Sequence, residues 1–92
     1  MQGNCALCRR YTQLEQHHVY SGPYRKKADK YGAVIYICHD CHTGRDGIQY
    51  NRQLADEVKG IFQERLMRQH NWTKQDFIRE FGRNYIKEEI EC

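Results

Sequence analysis

The sequence predicts one small α+β domain, in which a β-hairpin is followed by two helices. Three observations lead to this fold class. Residues 33–37 are β-branched or aromatic, as strand residues often are. Between positions 51 and 68 the apolar residues recur at helical spacing. Two Cys-x-x-Cys pairs flank the predicted hairpin. Because the chain has 92 residues, we assign all of 1–92 to one domain, with a core at 1–50 and a helical part at 51–92.

The predicted hairpin begins close to the N-terminus. Residues 1–12 are expected to form a tight turn around the first cysteine pair, and residues 14–20 a short strand. Because side chains alternate along a strand, His17 and His18 should point to opposite faces. The Ser-Gly-Pro sequence at 21–23 is a turn signal that ends this strand.

The second strand of the hairpin is predicted at 33–37, and it delivers Cys38 to the first cysteine pair. The basic residues 25–31 between the two strands fit either a short helix or an ordered loop. Residues 39–46 fit a short helical turn, limited by two glycines.

Two helices are predicted in the second half of the chain. The first covers about 51–68, and Gly60 within it indicates close packing, since glycine costs up to about 1 kcal/mol relative to alanine in a helix. The apolar stripe of this helix comprises Leu54, Val58, Ile61, Phe62 and Leu66. Thr73 and Asp76 match a capping-box pattern that begins the second helix, and Gly82 ends it. The predicted buried face of the second helix comprises Phe77, Ile78, Phe81 and Tyr85.

The cysteine pairs predict a structural zinc site formed by Cys5, Cys8, Cys38 and Cys41. Each Cys-x-x-Cys turn lets two sulfurs reach one ion, at about 2.3 Å, and four thiolates complete a tetrahedral shell. A closed shell leaves no position for water, so we expect this zinc to hold the fold and not to catalyse. Unpaired buried thiols and a redox pair are the alternatives. Cys92 is left over and is predicted to be a free thiol without a function.

Composition narrows the classes of function and location. Cys-x-x-Cys pairs are typical of metal ligands in a reducing compartment. No apolar run reaches the length of a membrane span, about 18 residues. The N-terminal residues lack the apolar region of a signal peptide. We therefore expect a soluble protein in the cytoplasm, without a membrane partner. The sequence has no Gly-rich phosphate loop and no serine nucleophile elbow, so nothing indicates a small-molecule enzyme.

The net charge is +3, and the basic residues cluster around the cysteine and histidine motifs. Such clusters fit either a polyanionic partner or an ordinary solvated surface. His17, His18 and His42 remain as candidates for chemistry, because closing the cysteine site draws them toward one another. His39 lies between two zinc ligands, and we interpret it as an ordinary surface residue.

Four segments carry a resemblance to a known family. Residues 14–19 (Leu-Glu-Gln-His-His-Val), 25–32 (Arg-Lys-Lys-Ala-Asp-Lys-Tyr-Gly), 34–38 (Val-Ile-Tyr-Ile-Cys) and the pair 41–42 (Cys-His) resemble the HNH endonuclease family. They are most similar to its small zinc-knuckle members from phages and prophages, and residues 71–85 are similar to the same subgroup.

The resemblance implies a ββα-metal fold, in which a hairpin and a helix hold one divalent ion, such as Mg²⁺, Mn²⁺ or Ni²⁺, against a DNA phosphate. By position, His17 and His42 would be ligands of that catalytic metal, and His18 would be the general base that deprotonates the attacking water. The family's products carry 5′-phosphate and 3′-hydroxyl ends. The basic residues implied to contact DNA phosphates are Arg25, Lys26, Lys27, Lys30 and Arg45.

Two positions depart from the family pattern. Gly32 and Ala33 stand where the family has its middle asparagine, just before the second strand. Gln49 stands where related phage sequences carry a histidine. The amide oxygen of glutamine suits Mg²⁺ better than a transition metal, and Asp46 is the other candidate oxygen ligand.

Two functions follow from these features. The sequence favours a metal-dependent endonuclease or nickase acting on DNA. The alternative, motivated by Gln49 and the missing asparagine, is a catalytically impaired HNH-like zinc module of phage origin that binds a protein or a nucleic acid, for example to inhibit a host defence complex. In either case the expected location is the cytoplasm, that of the host cell if a phage encodes the chain, and no oligomeric state is predicted.

Overall fold

The computed structural model describes residues 1–86, so Cys92 lies outside the described part of the chain. It is an α+β structure with one three-stranded sheet. A 3₁₀ turn at Gly22–Tyr24 precedes the first helix. In chain order the strands and helices are β1 (Gln2–Asn4), β2 (Tyr11–His18), α1 (Arg25–Tyr31), β3 (Val34–Cys38), α2 (His39–Thr43), α3 (Arg52–His70) and α4 (Lys74–Phe81).

The sheet has the order β1-β2-β3, and both pairings are antiparallel. The predicted hairpin is therefore present as β2 and β3, with His17 opposite Ile35 and His18 opposite Val34. Strand β1 was not predicted, and β2 begins three residues earlier than expected. β1 is three residues long and polar, so it lacks the alternating pattern by which strands are found in sequences.

The segment between β2 and β3 is a helix, which decides between the two alternatives left by the sequence. Helix α1 ends at Gly32, whose φ of 72° is left-handed and favours glycine. The backbone N–H of Ala33 then donates to the carbonyl of Ala28 at 2.7 Å, which leads the chain directly into β3. Helix α1 is thereby fixed against the ends of both long strands.

Helix α3 begins at an Asn51 cap, where Oδ1 accepts a hydrogen bond from the N–H of Leu54 at 3.1 Å. The predicted stripe is largely right, but its prediction for Ile61 is wrong, because that side chain is 57 % exposed. Ile61 and Gln63 lie about 100° to either side of Phe62 on the helix, so helical spacing alone does not decide which of the two is buried. Gln63 is fully buried.

Buried Gln63 is fully hydrogen-bonded and fastens the chain after α4 to α3. Its Oε1 accepts a hydrogen bond from the Tyr85 N–H at 2.6 Å, and its Nε2 donates to Asn84 Oδ1 at 2.7 Å. A Cβ on Gly60 would lie 3.1 Å from the Tyr85 carbonyl oxygen, so the predicted close packing at this glycine is confirmed.

Helix α4 has the predicted capping box, since Thr73 and Asp76 exchange side-chain and backbone hydrogen bonds. It ends at Phe81, with Gly82 in a left-handed conformation, φ 87°. The prediction that Tyr85 belongs to this helix is therefore wrong, because Tyr85 follows it. The Tyr85 ring centroid lies 5.6 Å from that of Tyr20. Phe77 and Phe81 are completely buried and complete the aromatic core around Tyr20.

Among residues 1–86, none of the helices is both long and apolar enough to span a bilayer.

Candidate metal centre and histidine cavity

The four predicted zinc ligands come together at one end of the sheet. Cys5 and Cys8 lie in the turn between β1 and β2, Cys38 ends β3, and Cys41 lies in α2. Their Sγ atoms are all within 4.8 Å of one another. A tetrahedral zinc–thiolate site with bonds of about 2.3 Å separates its sulfurs by about 3.8 Å, and the Cys8 and Cys38 sulfurs are 3.8 Å apart. These four thiols could hold a metal ion such as zinc.

The surroundings of Cys5 favour the thiolate form that a metal requires. Burial alone would raise the pKa of Cys5, but hydrogen bonds from the backbone of Cys8, Cys38 and Leu7 outweigh it and lower that pKa to about 6. Arg10 places its Nη2 3.7 Å from Cys38 Sγ and 3.2 Å from Asp40 Oδ2. Burial raises the pKa of Cys41, so a bound cation would have to displace the proton from this thiol.

His17, His18 and His42 line one cavity of about 620 Å³. His17 and His18 were predicted to point to opposite faces of the strand, yet both line this cavity at the end of β2. His42 comes from α2, and Arg25 from α1. The three histidines predicted for chemistry therefore share one site.

His17 and His42 are close enough to bind one ion. Their ring centroids are 5.3 Å apart. An ion held about 2.1 Å from one nitrogen of each ring, at a tetrahedral angle, would place the centroids about 5.2 Å apart. Burial, followed by the nearby charges of His42, His18 and Lys59, lowers the pKa of His17 to about 4. His17 is therefore neutral near pH 7, which is the form that binds a metal.

Glu15 holds His42 in place, and sequence reasoning missed this residue. Its Oε1 lies 2.8 Å from His42 Nδ1, and its Oε2 lies 2.9 Å from His39 Nδ1. These hydrogen bonds, that of His42 first, lower the pKa of Glu15. Because an ionised carboxylate only accepts, His42 Nδ1 donates, which leaves Nε2 as the nitrogen that could bind a metal.

His18 has a carboxylate partner as well. Its Nε2 lies 2.7 Å from Asp29 Oδ1, and its side chain is only 11 % exposed. By the same reasoning Nε2 donates to Asp29, and Nδ1 remains free to accept a proton. Asp29 on α1 thus orients the His18 ring.

The two weak candidates for a further ligand lie in the loop after α2, in different surroundings. Gln49 lines the cavity, and its N–H donates to the carbonyl of His42 at 3.1 Å. A Cβ on Gly47 would lie 2.9 Å from that same carbonyl oxygen, so glycine lets the loop fold tightly onto α2. Asp46 is exposed and is not among the residues that line the cavity.

The predicted nucleic-acid-binding residues do not all line the cavity. Arg25 lines the cavity, whereas Lys26, Lys27, Lys30 and Arg45 do not. Lys27 lies 3.9 Å from Glu80 Oε1, and the ammonium of Lys30 lies 5.2 Å from the Tyr31 ring centroid.

Lys59 on α3 also lines the cavity, and the sequence did not single it out. Two signals were available in the sequence for the missed residues. Glu15 and His17 are two apart on a strand and so share a face, and Lys59 directly follows a residue of the apolar stripe. Neither signal identifies the partner, because the contacts of these residues cross 24 or more positions of the chain.

No protein-family model matches the chain, and neither does any curated protein or solved structure with which it was compared. The resemblance to HNH endonucleases therefore stays a prediction, and the function is proposed from the geometry of the site.

Proposed function

We propose that the chain is a metal-dependent phosphodiesterase of the HNH type, an endonuclease or nickase that hydrolyses DNA. One observation carries the proposal: His17, His18 and His42 line a single cavity to which Arg25 and Lys59 add positive charge, while no carboxylate of residues 1–86 lines it. Such a cavity attracts an anion such as a phosphodiester. The β2–β3 hairpin followed by α2 supports the ββα-metal assignment.

The cavity residues fit one divalent ion, which His17 and His42 would hold through imidazole nitrogens and Gln49 through its amide oxygen. Among residues 1–86 the four cysteines form the only close group of three or more His, Cys, Asp or Glu ligands. The histidine site is therefore a two-imidazole site that needs the amide. Bound there, a divalent ion supplies Lewis-acid stabilisation of the charge on the phosphate and on the leaving 3′ oxygen.

The side chains in and around the cavity have separate roles in the proposed reaction. His18 accepts a proton from water at Nδ1 while Asp29 holds the ring through Nε2. The resulting hydroxide attacks phosphorus opposite the leaving oxygen. Glu15 orients His42, and Arg25 attracts the phosphate. The products would carry 5′-phosphate and 3′-hydroxyl ends.

The four-cysteine site has a different task in this proposal. We assign it a structural zinc, because a closed thiolate shell has no position for water or substrate. The zinc ligand Cys41 directly precedes His42, so the zinc also fixes the backbone of a cavity residue. Reduced thiols of this kind agree with a cytoplasmic location.

A plasmid-nicking assay tests the proposal. Zinc-loaded protein is incubated with supercoiled plasmid and Mg²⁺, Mn²⁺ or Ni²⁺, and we expect nicked circles only when a divalent ion is added. DNA ligase should reseal the nicks, since they carry 5′-phosphate and 3′-hydroxyl ends. Intact plasmid under every metal, with protein that is folded and contains zinc, would contradict the proposal.

Gln49 favours a second candidate function, a zinc module that binds a nucleic acid or a protein without cleaving. Gln49 lines the cavity, and it stands where related phage sequences carry a histidine that could supply a third imidazole. In the same assay this candidate predicts intact plasmid, and for the nucleic-acid form a retarded band on a native gel.

A further inference from the structure

We propose that Lys59 holds a backbone phosphate of the nucleic acid inside the histidine cavity, opposite Arg25. The inference rests on the proposed function for the identity of the anion. Lys59 lies on α3, outside the β2–β3–α2 unit that carries the histidines, and its side chain lines the cavity. Its charge also acts on His17, whose pKa it helps to lower.

The backbone of Lys59 is fixed by the aromatic core. Its carbonyl accepts a hydrogen bond from the Tyr20 hydroxyl at 2.6 Å, and Tyr20 is only 1 % exposed. Tyr20 lies two residues after His18, so one short segment carries the proposed base, His18, and anchors α3, which carries Lys59. The core thus sets the distance between His18 and Lys59.

The side chain of Lys59 packs on the ring of Tyr85. The ammonium lies 5.3 Å from the Tyr85 ring centroid, within the range of a cation–π contact. The backbone of Tyr85 is in turn held by buried Gln63 through the 2.6 Å hydrogen bond. A lysine stem packed in this way loses less conformational entropy when its ammonium binds a ligand.

The charges around Lys59 leave it available for an anion. No ion pair to Lys59 or Arg25 occurs within residues 1–86, and neither is opposed by a carboxylate in the cavity wall. The carboxylates of the same part of α3, Asp56, Glu57 and Glu64, line a second groove, which Tyr85 also lines. Within residues 1–86, a phosphate in the cavity would meet two cations and no acidic residue of the cavity wall.

Binding of a fluorescein-labelled DNA duplex, measured by anisotropy without added divalent metal, tests this role. Lys59→Gln should weaken binding by about threefold to tenfold and reduce the slope of log K against log salt by about 0.9, the effect of one lost phosphate contact. Lys59→Arg should restore both values. Arg68→Gln removes one positive charge from an exposed position of the same helix and serves as the matched control.

Equal losses of affinity and slope in Lys59→Gln and Arg68→Gln would overturn the proposal, since the effect would then be one of net charge. Should Lys59→Gln unfold, the wild type gives the answer by lysine acetylation and mass spectrometry. We expect the DNA duplex to protect Lys59 from acetylation, and equal modification with and without DNA would refute the role.

These measurements separate this inference from the proposed nuclease activity. DNA binding that depends on Lys59 in a protein that does not nick plasmid would retain the phosphate site and reject the nuclease. Nicking that is unaffected by Lys59→Gln, together with unchanged binding, would retain the nuclease and reject the phosphate site.

Discussion

Replacing Cys5 by serine is expected to release zinc and unfold the domain. Cys5 is completely buried, and its sulfur accepts hydrogen bonds from the N–H groups of Leu7 and Cys8 at 3.4 Å. A structural zinc contributes roughly 10–16 kcal/mol of apparent binding energy, whereas a whole domain is stable by only about 5–15 kcal/mol. Loss of the ion would thus outweigh the net stability of the fold.

The measurement combines zinc content by mass spectrometry with far-UV circular dichroism during thermal unfolding. We expect one zinc per wild-type chain and none in Cys5→Ser, with loss of the cooperative transition. Cys92→Ser removes the fifth thiol, which is not one of the four predicted zinc ligands, and should change neither value. A zinc-free Cys5→Ser protein that still unfolds cooperatively at the wild-type temperature would refute the structural role.

Replacing His18 by alanine is expected to lower the rate of DNA cleavage by about 10²- to 10⁴-fold, the usual contribution of a general base. The reason is that His18 has the free Nδ1, oriented by the 2.7 Å contact between Nε2 and Asp29. Because our proposal assigns the metal to His17 and His42, binding of the metal should change little. Single-turnover cleavage of an end-labelled duplex measures the rate of the chemical step.

His70→Ala is the matched control for the loss of an imidazole. His70 is exposed at the end of α3, stacks on Trp72 and does not line the cavity. Its cleavage rate should equal that of the wild type. If His18→Ala cleaved as fast as His70→Ala, His18 would not be the base, and any observed cleavage would have to come from another group.

Local chemistry allowed much of the fold to be predicted. The capping box at Thr73 and Asp76, the left-handed Gly82 and the close approach at Gly60 all depend on neighbouring residues or on the special backbone of glycine. Strand β3 and the four-cysteine group could also be predicted, because β-branched runs and Cys-x-x-Cys spacing are strong local signals.

The parts that could not be predicted depend on contacts between distant segments. Ile61 and Gln63 both lie near the edge of the apolar stripe of α3, and hydropathy assigns them the wrong way round. Gln63 is buried because Asn84 and Tyr85 satisfy both ends of its amide, which the sequence of α3 alone does not reveal.

The candidate site shows the same division. The sequence identified the histidines, and the structure brings them together in one cavity. It did not identify the carboxylates that orient them, since Glu15 contacts His42 across 27 positions and Asp29 contacts His18 across 11. Polar pairs at such separations have no periodic signal in a single sequence.

We propose that one chain has two metal sites with different tasks, and a count of the bound ions decides whether both exist. Zinc-loaded protein is equilibrated with Mn²⁺, which imidazole and amide ligands accept but thiolates hold less well than zinc. The wild type should bind one zinc and one Mn²⁺, whereas His17→Ala combined with His42→Ala should keep the zinc and lose the Mn²⁺. Equal binding of Mn²⁺ by the two proteins, or none by either, would contradict the claim.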